Sequence, residues 1–151
     1  EKLQRLRELG ADHLVNYTER SYLDAVKGLY GKPRINGSGG VDVAVNFTGG
    51  DTMKETQRCV NVGGKILTCG ATAGFDLDID ARFWWTFEHK MLGSNGWQTS
   101  DLEALLAKSG RRHWLSEEKP VIDKVLPLEE TAEAERLLED REAVGKVLLK
   151  P

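Results

Sequence analysis

Three short stretches carry residue types that let backbone close directly on a ligand: Thr48-Gly49, Gly70-Ala71-Thr72 and Leu92-Gly93-Ser94. Each lies at the carboxyl end of an apolar run, at 41–46, 65–70 and 90–94. Small residues at such ends admit contact that a longer side chain would block. In open α/β sheets, ligands lie outside the carboxyl ends of the strands. The chemistry this points to is binding, with ordinary turn chemistry at strand ends as the alternative. No Ser/His/Asp or Cys/His spacing for nucleophilic catalysis stands out, so no catalytic residue is assigned. His13, His89 and His113 are far apart, and none sits at a ligand spacing with Cys59 or Cys69, so no metal site is expected. Both cysteines fit core positions.

The elements that would position these stretches follow from periodicity. Leu3, Leu6 and Leu9 lie on one stripe of a helix over 1–9, which Gly10 ends in a left-handed turn. His13–Tyr17 is predicted as a short strand. Tyr22, Ala25, Val26 and Leu29 give the i, i+3, i+4, i+7 pattern of a helix over 19–29. The Gly-rich segment 30–40 is a loop. Val41, Val43 and Val45, with Ala44 on the other parity, predict a strand buried on both faces. Asp51 offers an N-cap for a helix over 52–62, with Met53, Cys59, Val60 and Val62 inward and Gly63-Gly64 as its stop.

Further along, Asp80 caps a short aromatic helix over 83–87, and Ser100-Asp-Leu-Glu103 is a capping box for a helix carrying Leu102, Leu105 and Leu106. Strands near residues 14, 42, 66 and 91 alternate with helices, which marks βαβ units. After residue 110 the rhythm breaks. An extended segment at 119–127, a helix with Ala132, Ala134, Leu137 and Leu138, and a last strand at 145–151 complete the chain.

A chain of 151 residues suffices for one domain of ordinary size with a real core. Its formal net charge of -3 argues against nucleic acid or an anionic membrane surface as the main partner. No apolar run approaches the roughly 20 residues of a membrane helix. The two cysteines make no disulfide framework, so a reducing compartment, the cytoplasm, is expected. The chain opens on Glu-Lys-Leu-Gln-Arg-Leu-Arg, without Met and with helical spacing already under way. It is therefore expected to be part of a longer protein.

Taken in order, Leu9-Gly-Ala-Asp-His-Leu-Val-Asn-Tyr17, Gly40-Val-Asp-Val-Ala-Val-Asn46, Cys59-Val-Asn-Val-Gly-Gly-Lys-Ile66, Gly70-Ala-Thr-Ala-Gly74, Met91-Leu-Gly-Ser94, Pro127-Leu-Glu-Glu130 and Gly145-Lys-Val-Leu-Leu149 form a set. No single piece is specific, but the ordered set resembles the carboxyl-terminal half of a medium-chain dehydrogenase/reductase. It is most similar to the quinone oxidoreductase and zinc-type alcohol dehydrogenase branches. The resemblance implies an α/β fold: a partial Rossmann-type parallel sheet with flanking helices over 1–115, and a strand-helix-strand tail over 116–151 that packs on a catalytic domain. The family's GxGxxG fingerprint does not occur here, and with the catalytic domain it is expected upstream of Glu1. Residues 31–39 are longer than the family's usual turn.

The resemblance also implies roles. Thr48, Gly49, Gly70, Ala71, Thr72, Leu92, Gly93 and Ser94 would form the floor beneath a nicotinamide and its ribose. Lys2 and Tyr17 would flank the adenosine ribose, and a Lys there can pair with a 2′-phosphate, which favours NADP over NAD. Arg141 matches a position near that phosphate in some members; a surface role is the alternative for all three. The expected function is hydride transfer between a nicotinamide coenzyme and a small-molecule carbonyl, quinone or alcohol. A non-catalytic nucleotide-binding or regulatory α/β domain is the alternative. The zinc content of the whole protein is left open, since the zinc-bearing branch draws its ligands mainly from the catalytic domain. The strand at 90–94 is expected to be a sheet edge that pairs with a second copy in a homodimer. Phe83-Trp-Trp-Thr-Phe87 fits a cleft wall, a subunit contact or core packing.

Overall fold

The computed structural model describes residues 1–96, 98–109 and 120–151. Trp97, His113 and the boundary expected at 115–116 lie outside them, as do the side chains of Leu102, Leu105 and Leu106. Two compact units are present, Asp12–Gly96 and Glu1–Ala11 together with Trp97–Pro151. The chain is α/β, with parallel sheets and flanking helices.

In the unit Asp12–Gly96, the elements are α2 (Tyr22–Tyr30), β1 (Val41–Val45), α3 (Thr52–Cys59), β2 (Val60–Thr68), α4 (Ala81–Thr86) and β3 (Lys90–Gly93). The strands form one parallel sheet in the order β1-β2-β3. Parallel neighbours need a crossover, and α3 and α4 supply the two. Met53, Val60 and Ile66 make the core, with Val41, Ala44, Ile79 and Met91 packed against it. Met53 and Val60 are fully buried.

Several expectations are corrected here. Residues 13–17 form no strand, because a strand is a pairing as well as a conformation and, among the described residues, β1 pairs with β2 alone. β1 is not buried on both faces. Val43 and Val45 are 52% and 63% exposed, because the core takes Val41 and Ala44 from this strand and leaves these two outside it. In α2 the buried residues are Leu23 and Ala25, and Leu29 is exposed. Gly63-Gly64 does not stop α3. The helix ends at Cys59, and Val60 turns straight into extended backbone at φ −88°, ψ 135°. The glycines lie inside β2, where Asn61, Val62, Gly63 and Gly64 stand opposite Asp42 alone, between the pairs Val41–Val60 and Val43–Lys65. Gly63 takes φ +70° there and donates its N–H to the Phe87 carbonyl at 2.7 Å. An irregularity of this kind needs left-handed backbone, which glycine adopts at no steric cost.

The other unit holds α1 (Lys2–Glu8), α5 (Thr99–Ser109), β4 (Ile122–Pro127), a 3-10 turn (Leu128–Glu130), α6 (Thr131–Glu139) and β5 (Lys146–Lys150). β4 and β5 pair in parallel around α6, which buries Ala134 and Leu137 and leaves Leu138 exposed. α1 ends as expected at Gly10, φ +96°. The N–H of Gly10 reaches Arg7 and that of Ala11 reaches Leu6, the paired bonds of a Schellman turn. No residue of α1 is buried, so its leucine stripe is not a core face. The start of α5 is capped by Asp101, whose carboxylate accepts the Gln98 N–H at 2.9 Å, rather than by the Ser100–Glu103 box. Among the described residues, no helix is long and apolar enough to cross a membrane.

His89 is a buried titratable group of this unit, 5% exposed. Its Nε2 meets the Val60 carbonyl at 3.1 Å, so Nε2 carries the proton and donates. Nδ1 meets no hydrogen-bond partner among the described residues, and the ring lies 5.7 Å from that of Phe87. Burial holds the imidazole below its ordinary value of 6.5. The unfolded chain therefore binds a proton at a pH where the folded chain does not. Stability is full above the ordinary imidazole range and is expected to fall as pH drops below it, by up to about 1.4 kcal/mol per pH unit. Denaturant unfolding of the chain and of His89→Gln across this range checks the point; a slope that survives the substitution assigns the effect elsewhere.

Candidate functional site

Parallel pairing puts the carboxyl ends of β1, β2 and β3 on one side of the sheet. Register sets Val45 beside Leu67, Leu67 beside Leu92 and Thr68 beside Gly93. Thr48, Gly49, Gly70, Ala71, Thr72, Leu92, Gly93 and Ser94 therefore belong to three adjacent strand ends. Ser94 continues the ladder beyond β3, donating its N–H to the Thr68 carbonyl at 2.8 Å.

The first two ends are docked on each other. Ala73 N–H donates to the Thr48 carbonyl at 2.7 Å, and Gly50 N–H donates to the Gly74 carbonyl at 3.1 Å. Gly49 takes φ +72°, and a Cβ there would stand 2.8 Å from the Gly74 carbonyl oxygen and 2.9 Å from Ala71. Gly49 is thus glycine because its own chain approaches, and the same holds more loosely at Gly70, 3.2 Å from the Phe47 oxygen. At Gly93 a Cβ would meet no atom of the described residues within 4 Å, unlike at Gly49 and Gly70.

What fixes the first turn is a polar cluster that the sequence reading did not name. Asn46 is 6% exposed. Its Oδ1 accepts the backbone N–H of Thr48 at 3.0 Å and of Gly49 at 2.9 Å. Its Nδ2 donates to the hydroxyls of Thr52 and Thr56 at 3.0 and 2.8 Å. Thr52 donates onward to the Gly49 carbonyl at 2.6 Å, and Thr56 to the Thr52 carbonyl at 2.9 Å. From α2, the Tyr22 hydroxyl donates to the same Thr52 carbonyl at 2.7 Å. Burial raises the Tyr22 pKa, which keeps that donor protonated. Asp51, expected as the helix cap, makes no side-chain capping bond. The signal available in the sequence was an Asn followed by Thr at the sixth and tenth positions, two hydroxyls one helical turn apart.

The remaining candidates are placed as follows. Tyr17 opens the turn that follows Asn16 and is 67% exposed. Lys2 belongs to the other unit, where its ammonium donates to the Arg141 carbonyl, and Arg141 itself has left-handed backbone, φ +57°. In the aromatic run, Phe83 and Phe87 stack at 5.2 Å, Arg58 sits 5.6 Å over Phe83, and Trp85 is 67% exposed. Burial pushes the Cys59 thiol up to about 11, which leaves it inert at neutral pH. Cys69 is exposed, not in the core as expected, because it lies past the end of β2. Among the described residues, no three His, Cys, Asp or Glu side chains converge into a set that could hold a metal.

Gly49→Ala is expected to destabilise the chain by about 2 kcal/mol or more, the sum of left-handed strain and a backbone clash. Gly93→Ala is expected to change stability by less than about 1 kcal/mol. Denaturant unfolding of both variants distinguishes them; equal losses would contradict the docked-turn geometry.

The family model for zinc-binding dehydrogenases matches residues 9–149. The human synaptic vesicle membrane protein VAT-1 homolog is 27% identical, over 99% of this chain and 42% of its own length. Among solved structures, an NAD-dependent alcohol dehydrogenase matches at 34% identity and TM-score 0.79, over 99% of this chain and 40% of its own. A 2-octenoyl-CoA carboxylase reductase in complex with NADP and 2-octenoyl-CoA matches at 26% identity and TM-score 0.71, over 95% and 34%. The chain thus spans about two fifths of the length of the first relatives it matches. Ordered segments, parallel sheet and family model agree, and the chain belongs to the zinc-binding dehydrogenases of the medium-chain dehydrogenase/reductase family.

Proposed function

We propose that the chain forms the nicotinamide-side part of the coenzyme fold of an NAD(P)-dependent oxidoreductase. The reaction is hydride transfer between the coenzyme and a carbonyl, quinone or alcohol. The observation that carries this reading is the alignment of three parallel strand ends built from small residues, with no atom of the described residues within 4 Å of a Cβ at Gly93. The alcohol dehydrogenase and the NADP complex among the matched structures support it. The nicotinamide, when bound, supplies the redox chemistry, and the protein contributes orientation and electrostatics. Thr48, Gly49, Gly70, Ala71, Thr72, Leu92, Gly93 and Ser94 are the residues proposed to hold it, with Tyr17 and Lys2 toward the adenosine ribose. If the intact protein bound coenzyme but turned over no carbonyl, quinone or alcohol, it would be a non-catalytic nucleotide-binding domain instead.

NADP is the proposed coenzyme because of Lys2. An ammonium has three donors, and the bond to the Arg141 carbonyl leaves two for a 2′-phosphate. In the intact protein, Lys2→Ala is expected to weaken NADPH about tenfold more than NADH, the size of one lost charge-assisted bond. Equal losses, read by coenzyme fluorescence, would show that Lys2 does not face the phosphate.

The proposed assembly is a homodimer through β3. This strand is an edge of its sheet among the described residues, its Leu92 is 44% exposed, and Trp85 of the preceding α4 is 67% exposed. Light scattering of the intact protein at micromolar concentration is expected to give twice the monomer mass, and a monomer would contradict the pairing.

A further inference from the structure

We propose that Asn46 is the positioning residue of the coenzyme site: it sets the turn Thr48–Gly50 and ties it to α3 and α2. This rests on the coenzyme reading of the strand ends. A carboxamide offers two lone pairs on oxygen and two N–H donors, and at Asn46 all are used. Two backbone N–H groups, of Thr48 and Gly49, face one atom of the carboxamide. Only an acceptor can stand between two donors, so that atom is the oxygen. The other atom then donates, and it faces the hydroxyls of Thr52 and Thr56. Both hydroxyl hydrogens are already committed, to the carbonyls of Gly49 and Thr52. The Thr52 hydroxyl also lies 3.4 Å from Asn46 Oδ1, but the Gly49 carbonyl at 2.6 Å is the nearer acceptor, so both hydroxyls accept from Asn46 Nδ2. The cluster has one consistent direction, and a carboxamide at position 46 fits it without leaving a polar atom unmatched.

Aspartate does not fit. A carboxylate keeps the two contacts to the Thr48 and Gly49 N–H groups but presents lone pairs to both hydroxyls. Thr52 and Thr56 must then turn their hydrogens toward position 46 and release the carbonyls of Gly49 and Thr52. Alanine removes all four bonds and leaves two turn amides unpaired beside a strand end.

The cluster reaches further than the turn. The Thr48 carbonyl accepts from Ala73, and the Gly50 N–H donates to Gly74, so a shift of 48–50 carries 71–74 with it. These segments contain or adjoin Thr48, Gly49, Gly70, Ala71 and Thr72, most of the proposed coenzyme contacts. At the other end, the Tyr22 hydroxyl lies 3.3 Å from the Thr56 hydroxyl and donates to the Thr52 carbonyl. One buried side chain thus joins two helices to two strand-end turns. Asn46 itself is 6% exposed, and it acts on a ligand through the backbone it holds.

The test uses the intact protein with four variants: Asn46→Ala, Thr56→Val, Thr56→Ser and Val60→Ala. Thr56 is 7% exposed, so a change there acts through Asn46 and not by touching a ligand. Val60→Ala opens the fully buried core of the same unit without touching the cluster, and serves as the control for lost stability alone. NADPH affinity is read by fluorescence titration on the folded protein, and hydrogen exchange is read at Thr48 and Gly49. Asn46→Ala is expected to raise the NADPH Kd about tenfold and to speed exchange at both amides. Thr56→Val is expected to raise the Kd a few-fold, Thr56→Ser to restore it, and Val60→Ala to lower the melting temperature at unchanged Kd. The proposal is overturned if Asn46→Ala changes Kd no more than Val60→Ala does, or if Thr56→Ser is as damaging as Thr56→Val. If the unaltered intact protein binds no nicotinamide coenzyme, the functional reading fails instead. Exchange at Thr48 and Gly49 then decides the role of Asn46 alone: unchanged protection in Asn46→Ala refutes it.

Discussion

Parallel pairing to β2 is the constraint on which the larger unit depends. β2 is the strand both others join, so β1 and β3 must run in its direction, and their carboxyl ends must emerge on one side. That requirement forces a helix between each pair of strands. It also brings residues 46–50, 68–74 and 93–94, spread over half the unit's sequence, to one edge. Met53, Val60 and Ile66 supply the burial that holds this arrangement, each from a different point of the β1-α3-β2 crossover. Val60 takes part twice, as a core side chain and as the carbonyl that fixes His89.

On that edge the chain resolves a local conflict between burial and polarity. A turn after a buried strand carries amides with no ladder partner, and leaving such donors unpaired is costly. Asn46 answers this from below with its carboxamide, and the second turn answers it from the side through Ala73 and Gly74. Gly49 and Gly50, at φ +72° and +51°, let the two turns come close enough to bond. Small residues at these strand ends thus serve the chain before they serve any ligand. At Gly93, the last residue of β3, no atom of the described residues stands within 4 Å of where a Cβ would be.

The sequence made the alternation of strand and helix legible, because the apolar runs at 41–46, 65–70 and 90–94 are short, bounded by glycine and followed by helical spacing. It also located the three strand ends. The failures have distinct causes. His13–Tyr17 has strand composition, but pairing is tertiary information. Gly63-Gly64 carries the same signal whether glycine ends a helix or bends a strand, and only the register of β1 against β2 decides. β1 was expected to be buried on both faces since Val43 and Val45 are apolar, yet composition does not say which faces are covered. Asn46 escaped notice because single polar residues in apolar runs gain meaning only when their partners are known. Thr52 and Thr56 became partners through the helix that places them over it.

The central claim is that the three aligned strand ends receive a nicotinamide coenzyme. Hydrogen exchange of the intact protein, with and without saturating NADPH, tests it most directly. The account predicts slowed exchange in 46–50, 68–74 and 92–95, with β4 and β5 unchanged. Slowing confined to 122–150, with the strand ends unaffected, would contradict it.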